Sequence, residues 1–223
     1  MVLHIEQYDL RYYFPTNKLS IEEHIMKDNV FEQMAKKYDS PERIELAKVI
    51  RKAVRPELEN STSKSLIDYG SGTGLVSLEL ADLVKSVLLV DASEKMLEVA
   101  ERKISHRGIT NANVMCSDFT EETPNVKADI IVVSLVLLHI PDTKKILQAL
   151  YHVLNEDGKL LIIDFDQNDR VNHPKIHSGF SHEALKDLLI EVGFTSTTME
   201  TFHHGQRIFA NQDASMFIAR SIK

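Results

Sequence analysis

The chain has 223 residues, of which 43% are hydrophobic and 26% are charged, and its net charge is −7. These values are typical of one soluble α/β domain, and an acidic balance without a Lys/Arg cluster argues against a general nucleic-acid binder. No apolar run reaches membrane-spanning length, and the single cysteine excludes an intramolecular disulfide, so we expect a cytoplasmic protein without stable membrane insertion.

The N-terminal part carries two helix signatures. Ser20 and Glu23 fit a capping box, which predicts a first helix that ends near Lys37. Ser40 is a capping residue followed directly by proline, and this pair predicts a second helix over about 41–56.

After a polar linker, strands and helices alternate along the rest of the chain. Continuous Val/Ile/Leu runs separated by helices predict a parallel sheet with helices on both faces. The strands are expected over 65–69, 86–91, 112–116, 128–138 and 159–166, with two more β stretches over about 195–202 and 213–221. The helices are expected over 74–84, 93–108, 142–154 and 181–194.

The stretch LIDYGSGTG, residues 66–74, joins the first strand to the next predicted helix. Its three glycines allow a tight turn in which no Cβ atom keeps a ligand from the backbone, and a helix beginning there offers free N–H groups. The spacing G-x-G-x-G differs from the dinucleotide fingerprint G-x-G-x-x-G. Asp68, under the turn, suits a ligand with a donor-rich end, such as an amino acid, better than a pyrophosphate.

Two further carboxylates follow the next two strands. Asp91 ends the second strand, where a carboxylate can accept hydrogen bonds from both hydroxyls of a ribose. Asp118 follows the third strand and can accept from an adenine amino group, while Met96 is a candidate for the adenine face. Together these positions outline one elongated ligand with an amino-acid end, a ribose and an adenine.

These motifs, in this order and spacing, resemble those of class I S-adenosylmethionine-dependent methyltransferases, in particular the small-molecule type of ubiquinone/menaquinone biosynthesis. The resemblance covers about residues 30–221 and includes LIDYGSGTG, LLVDASEKML, CSDF, ADIIVVSLVLLHIPD and VLNEDGKLLIID. It implies an enzyme that transfers the methyl group of S-adenosylmethionine to an O, N or C nucleophile of a small molecule, with S-adenosylhomocysteine as product.

The resemblance also implies the architecture. The expected fold is a Rossmann-like, mostly parallel sheet of seven strands with helices on both faces and an antiparallel last strand. Residues 1–60 would form an N-terminal segment and helical lid, and 61–223 would form the S-adenosylmethionine-binding core. A homodimer is one option for its assembly.

The resemblance further implies which residues meet the cofactor. The glycine loop would line the methionine part, the Asp91 region the ribose, the residues after the third strand the adenine, and those after the fourth strand the methyl group. The expected cofactor-binding residues are Asp68, Gly70, Ser71, Gly72, Gly74, Asp91, Ala92, Met96, Asp118, Phe119, Ser134 and Leu135.

Three residues are candidates for catalysis. His177 lies in a loop that could fold over the substrate and could act as a general base, and His139 lies near the expected methyl donor. Tyr38 ends the first predicted helix and could close over the sulfonium. No metal is expected, because no Cys or carboxylate set completes the spacing of His173 and His177.

Several alternatives stay open at this stage. Each glycine and aspartate also has a purely structural interpretation as a turn or cap, and Cys116 is expected to be a buried strand residue. A non-catalytic S-adenosylmethionine-binding sensor or scaffold fits the same motifs. A nicotinamide-dependent oxidoreductase is disfavoured by the glycine spacing and by Asp68.

Overall fold

The computed structural model describes residues 38–223, so the first predicted helix lies outside the described residues. The second is confirmed as α1, Pro41–Val54, which continues as a short 3₁₀ turn, Arg55–Leu58. The Ser40 hydroxyl accepts from the Arg43 N–H and caps α1, while Pro41 occupies the first turn, where its missing N–H costs nothing.

The described residues form one sheet of seven strands in the order β3-β2-β1-β4-β5-β7-β6. Pairing is parallel from β3 through β5, and only β7 runs antiparallel to its neighbours. The predicted seven-stranded fold is therefore confirmed. The strands are β1 Ser65–Tyr69, β2 Ser86–Asp91, β3 Ala112–Cys116, β4 Ala128–Ser134, β5 Leu154–Phe165, β6 Ser196–Phe209 and β7 Gln212–Ile222.

Three more helices cover the sheet, and side-chain caps begin each of them. Ser93, Asp142 and Ser181 accept from a main-chain N–H three residues later. Two apolar clusters, one on each face, bury the sheet between helices and loops. The helices are α2 Glu94–Arg107, α3 Thr143–Val153 and α4 His182–Val192.

The strand order reverses direction at β1, which lies between β2 and β4. A ligand crevice forms at such a point, beyond the carboxyl ends of the strands. The glycine loop leaves β1 on the side of β2, and the chain leaves β4 on the other side. The fold therefore brings the strand ends that carry Asp68, Asp91 and Ser134 to one side of the sheet.

The helix predicted over 74–84 is wrong. This segment forms two short 3₁₀ turns, Ser77–Glu79 and Ala81–Leu83. Val76 and Leu78 are both buried, although two residues apart they would point to nearly opposite sides of an α-helix. Because apolar side chains of this segment are buried on opposite sides, short irregular turns can bury them where one amphipathic helix would expose some.

The strand predicted over 128–138 ends early, at Ser134. Leu135 has a φ of +56°, in the left-handed region that breaks an extended strand, and a 3₁₀ turn follows at Leu137–His139. Cys116 is also placed differently from the prediction. It is exposed, because β3 is an edge strand of the sheet and Cys116 is the last residue of this strand.

The two late β stretches are confirmed as strands but are longer than predicted. β6 and β7 form a hairpin whose turn residues, Ala210 and Asn211, both have positive φ, as a two-residue hairpin turn requires. The tip folds back onto the sheet, since Phe209 is 3% exposed and stacks on Phe165 at a ring separation of 4.2 Å.

Candidate functional site

The glycine loop, residues 70–74, is fixed to the neighbouring strand by its backbone. The N–H groups of Gly70 and Ser71 both donate to the Val90 carbonyl, at 2.8 and 3.0 Å. Gly70, Gly72 and Gly74 have φ values of +70°, +54° and +75°. Side chains rarely tolerate these angles, so the turn itself requires glycine.

The loop also touches the chain that leaves β4. A Cβ atom on Gly70 would lie 2.3 Å from a methyl carbon of Val136. The glycine therefore allows the chain after β4 to approach the loop, which is where the sequence predicts the methyl group. We call residues 135–141 the post-β4 segment.

Asp68 lies beneath the loop at 1% exposure. Its Oδ1 has no hydrogen-bond partner among the described residues. Burial, together with the charge of Asp91, raises the pKa of Asp68 to about 6, although hydrogen bonding to Ser77 acts in the opposite direction. A buried acceptor without a partner is costly, so this oxygen fits a ligand that brings a donor, such as an amino group.

Asp91 closes the next part of the crevice. Its Oδ2 accepts from the Gly72 N–H at 2.7 Å and its Oδ1 from the Ser93 N–H at 2.9 Å. Burial raises its pKa despite these bonds. A carboxylate held by both oxygens has a fixed orientation and still has lone pairs for two hydroxyls.

The residues next to Asp91 differ in how much surface they offer a ligand. Ala92 is exposed, and Ser93 performs the helix-capping role that Asp91 could have taken. Met96 is 1% exposed and faces the core. Its side chain therefore offers almost no surface to an adenine ring in this structure.

Asp118 is held by a turn after β3. Its Oδ1 accepts from the N–H and the hydroxyl of Thr120, at 2.8 and 2.7 Å, and from the Tyr69 hydroxyl at 3.3 Å. Phe119 is 2% exposed, and its ring centroid lies 4.7 Å from that of Tyr69. Sequence reasoning missed Tyr69 and Thr120, although each stands one or two residues from a predicted site residue.

The post-β4 segment is held from below by β5. The Leu135 N–H donates to the Ile163 carbonyl at 2.8 Å, and the Leu138 N–H donates to the buried Asp164 at 3.2 Å. Burial raises the pKa of Asp164 to about 7. Ser134 is half-buried and pairs with Ile163 across the two strands.

His177 docks the loop between β5 and α4 onto the post-β4 segment. Its main-chain N–H donates to the Leu138 carbonyl at 2.9 Å, and the ring atom Nε2 lies 2.8 Å from the Ile140 carbonyl oxygen. A carbonyl can only accept, so Nε2 carries a proton, and in the neutral form of the ring the lone pair is on Nδ1. His139, on the neighbouring 3₁₀ turn, is half-buried.

Tyr38 lies against the other side of the loop. A Cβ atom on Gly72 would be 3.4 Å from its ring, and the Arg43 guanidinium stacks 4.0 Å from the ring centroid. Burial and the charges of three aspartates, Asp91, Asp39 and Asp68, raise the pKa of Tyr38 to about 12. The hydroxyl therefore keeps its proton at neutral pH and is available as a hydrogen-bond donor.

A polar cluster that the sequence did not predict ties Asp39 to the loop. Its carboxylate accepts from the Thr73 hydroxyl at 2.5 Å and pairs with Lys103 at 2.6 Å. Lys103 also donates to the Thr73 carbonyl at 2.8 Å. Lys103 lies on α2, 64 residues after Asp39, so no local sequence pattern predicts this ion pair.

The remaining histidines of the loop do not form a metal site. The Lys175 N–H donates to His173 Nδ1, while His182, the first residue of α4, pairs with Asp166 at 2.7 Å. Within residues 38–223 no group of three or more His, Cys, Asp or Glu side chains could hold a metal ion. In the same range, no helix combines the length and apolar character needed to cross a membrane.

The arrangement fits S-adenosylmethionine, the ligand implied by the sequence. The glycine loop has no side chains that would keep a ligand from its backbone, and Asp68 Oδ1 beneath it is an acceptor without a partner among the described residues. The oriented carboxylates of Asp91 and Asp118 follow at the ends of the next two strands. These residues would hold an amino-acid end, a ribose and a base in that order.

Comparison with known proteins points to methyltransferases. A family model described as a methyltransferase domain matches residues 60–210. The chain is 26% identical over 168 residues to a ubiquinone/menaquinone biosynthesis C-methyltransferase of Marinomonas sp., covering 70% of this chain and 65% of that protein. It is 30% identical to the enzyme of the same name from Blochmanniella floridana, covering 61% of this chain and 57% of that protein.

Solved structures share the fold. The phosphoethanolamine N-methyltransferase 2 of Haemonchus contortus, in complex with S-adenosyl-L-methionine, matches with a TM-score of 0.69 at 16% identity. The match covers 94% of this chain and 61% of that one. The chain spans less than two thirds of the length of the two curated relatives described above.

Proposed function

The chain belongs to the methyltransferase-domain family of class I S-adenosylmethionine-dependent enzymes, and we propose that it transfers a methyl group from S-adenosylmethionine to a nucleophilic atom of a small molecule. Family membership confirms the resemblance found in the sequence motifs. The observation that carries the proposal is Asp68, whose buried and unpartnered oxygen lies beneath a loop of positive-φ glycines. The cytoplasmic location and the homodimer stay predictions.

The cofactor supplies an electrophilic methyl group on a positively charged sulfur. In the proposal, Asp68 and the glycine loop hold its amino-acid end, Asp91 holds its ribose, and Asp118 accepts from its base. Ser134, at the end of β4, and Leu135, next to it, then approach the methyl group, because the adjacent Val136 lies against the glycine loop. Catalysis by such a site rests mainly on aligning donor and acceptor and on excluding water.

The acceptor side of the site would be formed by the post-β4 segment and the loop over 166–181. The names of the relatives include a C- and an N-methyltransferase, so the acceptor atom stays open among C, N and O. The common feature of these acceptors is a lone pair or an electron-rich carbon that must lie opposite the sulfur.

His177 is the residue proposed to remove a proton from the acceptor. The Ile140 carbonyl fixes its tautomer with the lone pair on Nδ1, as a general base requires. Tyr38, which retains its proton, would act as a donor at the cofactor. His139 is proposed as a nearby contact of the methyl-transfer region.

Two measurements test this function. Calorimetric titration should show that S-adenosylhomocysteine binds and that NADH does not, and isotope-labelled S-adenosylmethionine should transfer its methyl group to a compound in fractionated cell metabolites. Binding of NADH alone would overturn the proposal in favour of an oxidoreductase. Binding of S-adenosylhomocysteine with no transfer to any fraction would favour a sensor or scaffold.

A further inference from the structure

We propose that Thr120 and Tyr69 orient the Asp118 carboxylate so that the site selects a base with an amino group over one with a carbonyl at the same position. This inference rests on the proposed function, in which Asp118 meets the adenine of the cofactor. Thr120 and Tyr69 act through Asp118 and are therefore positioning residues.

The two oxygens of Asp118 have different surroundings. Oδ1 accepts from three donors, the Thr120 N–H, the Thr120 hydroxyl and the Tyr69 hydroxyl. No hydrogen bond to Oδ2 is found among the described residues. The three donors saturate Oδ1 and stop rotation of the carboxylate, so Oδ2 is the oxygen that remains for a ligand.

The donors come from two separate parts of the fold. Thr120 follows Asp118 in the same turn, whereas Tyr69 is the last residue of β1, across the intervening strand β2. Tyr69 is 5% exposed and packs against Phe119. The hydroxyl therefore cannot swing away, and the turn after β3 is tied to the strand that carries the glycine loop.

An ionised carboxylate oxygen only accepts hydrogen bonds. The exocyclic amino group of adenine donates one, whereas the carbonyl of hypoxanthine at the same position presents a lone pair. Rejection of the carbonyl depends on Oδ2 being held in place, since a rotating carboxylate could turn away or admit a water molecule.

Asparagine at this position gives an opposite expectation. The Thr120 N–H can only donate, so the amide oxygen of an Asp118→Asn variant must take the place of Oδ1. The amide nitrogen then occupies the place of Oδ2 and offers a donor to the ligand. The variant should therefore favour hypoxanthine, because the amide N–H at the Oδ2 position can donate to the carbonyl of this base but not to the amino group of adenine.

The experiment measures dissociation constants of S-adenosylhomocysteine and S-inosylhomocysteine by calorimetry. The wild-type chain should bind the adenosine compound at least about tenfold more tightly, the scale of one hydrogen bond to a charged group. Asp118→Asn should reverse the preference. Thr120→Val and Tyr69→Phe should each reduce the wild-type ratio, with the larger loss at Thr120, whose bond is shorter.

Three controls separate orientation from general damage. Thr120→Ser keeps the hydroxyl and should keep the ratio, and Tyr151→Phe removes a hydroxyl from α3 without changing it. Thermal unfolding of each variant measures folding. The measured quantity is the ratio of the two dissociation constants. Partial unfolding lowers the apparent number of sites for both ligands alike and leaves this ratio unchanged.

Two results would overturn the inference. One is an unchanged ratio in both Thr120→Val and Tyr69→Phe, and the other is an Asp118→Asn variant that still prefers the adenosine compound. If the wild-type chain binds neither compound, both this inference and the proposed function on which it rests are wrong.

Discussion

The cofactor side and the acceptor side of the crevice are built from different interactions. On the cofactor side, formed by the carboxyl ends of β1, β2 and β3, aspartates are held mainly by main-chain N–H groups of the turns next to them, with the Tyr69 hydroxyl as a more distant donor to Asp118. On the acceptor side, the post-β4 segment is held by β5 and by His177, residues from more distant parts of the chain. The first arrangement fixes one ligand, while the second can vary with the acceptor.

The largest expected effect is on the cofactor side, at Gly72. Gly72→Val should remove measurable binding of S-adenosylhomocysteine, because valine is strained at a φ of +54° and its Cβ would press on the Tyr38 ring. Calorimetry on the folded variant checks this. Binding as tight as in the wild-type chain would contradict the close approach of the ligand to the backbone.

The acceptor side should respond in a different quantity. His177→Gln keeps a donor for the Ile140 carbonyl but removes the base, so turnover should fall by about 100-fold, the lower range for a general base. Affinity for S-adenosylhomocysteine should stay within about twofold. If cofactor affinity falls together with turnover, the two sides are coupled and the comparison is wrong.

Asp91 gives an intermediate effect on the cofactor side. Asp91→Ala should weaken binding by about 1–3 kcal/mol, the scale of lost hydrogen bonds to a charged group. Asp129→Ala is the matched control, since the Asp129 carboxylate also accepts from the start of a strand, at Ser65, but lies at the opposite end of the parallel strands. Equal loss in both variants would indicate damage to the fold in place of a ribose contact.

The smallest effect is a pH dependence from Asp68. Its pKa is raised to about 6, so the carboxylate is ionised above that pH and attracts an amino group, and protonation below it removes the attraction. Affinity should therefore fall as pH is lowered, by up to about tenfold per pH unit below the pKa. In Asp68→Asn the affinity should be lower at pH 7, and its fall below pH 6 should be much shallower. An equally steep fall in that variant would assign the titration to another group.

The parts of the site that sequence predicted are those encoded locally. Asp68 and Asp91 lie in the last two positions of their strands and Asp118 follows β3, and parallel strands bring their carboxyl ends to one side of the sheet. The pairing of Lys103 with Asp39, and of Tyr69 with Asp118, joins residues that are distant in sequence, so no local pattern signals it. Cys116 was misplaced because the strand order that exposes β3 is decided by the whole sheet.

The irregular turns after the glycine loop have an electrostatic consequence. A regular helix beginning at Gly74 would have pointed the positive end of its macrodipole, about half an elementary charge, into the crevice. Two short 3₁₀ turns supply no such field, and Asp68, Asp91 and Asp118 set the sign of the potential there. Three carboxylates near the expected ligand, with Lys103 paired to Asp39, favour a ligand that carries a cationic sulfur and amino group over a phosphate.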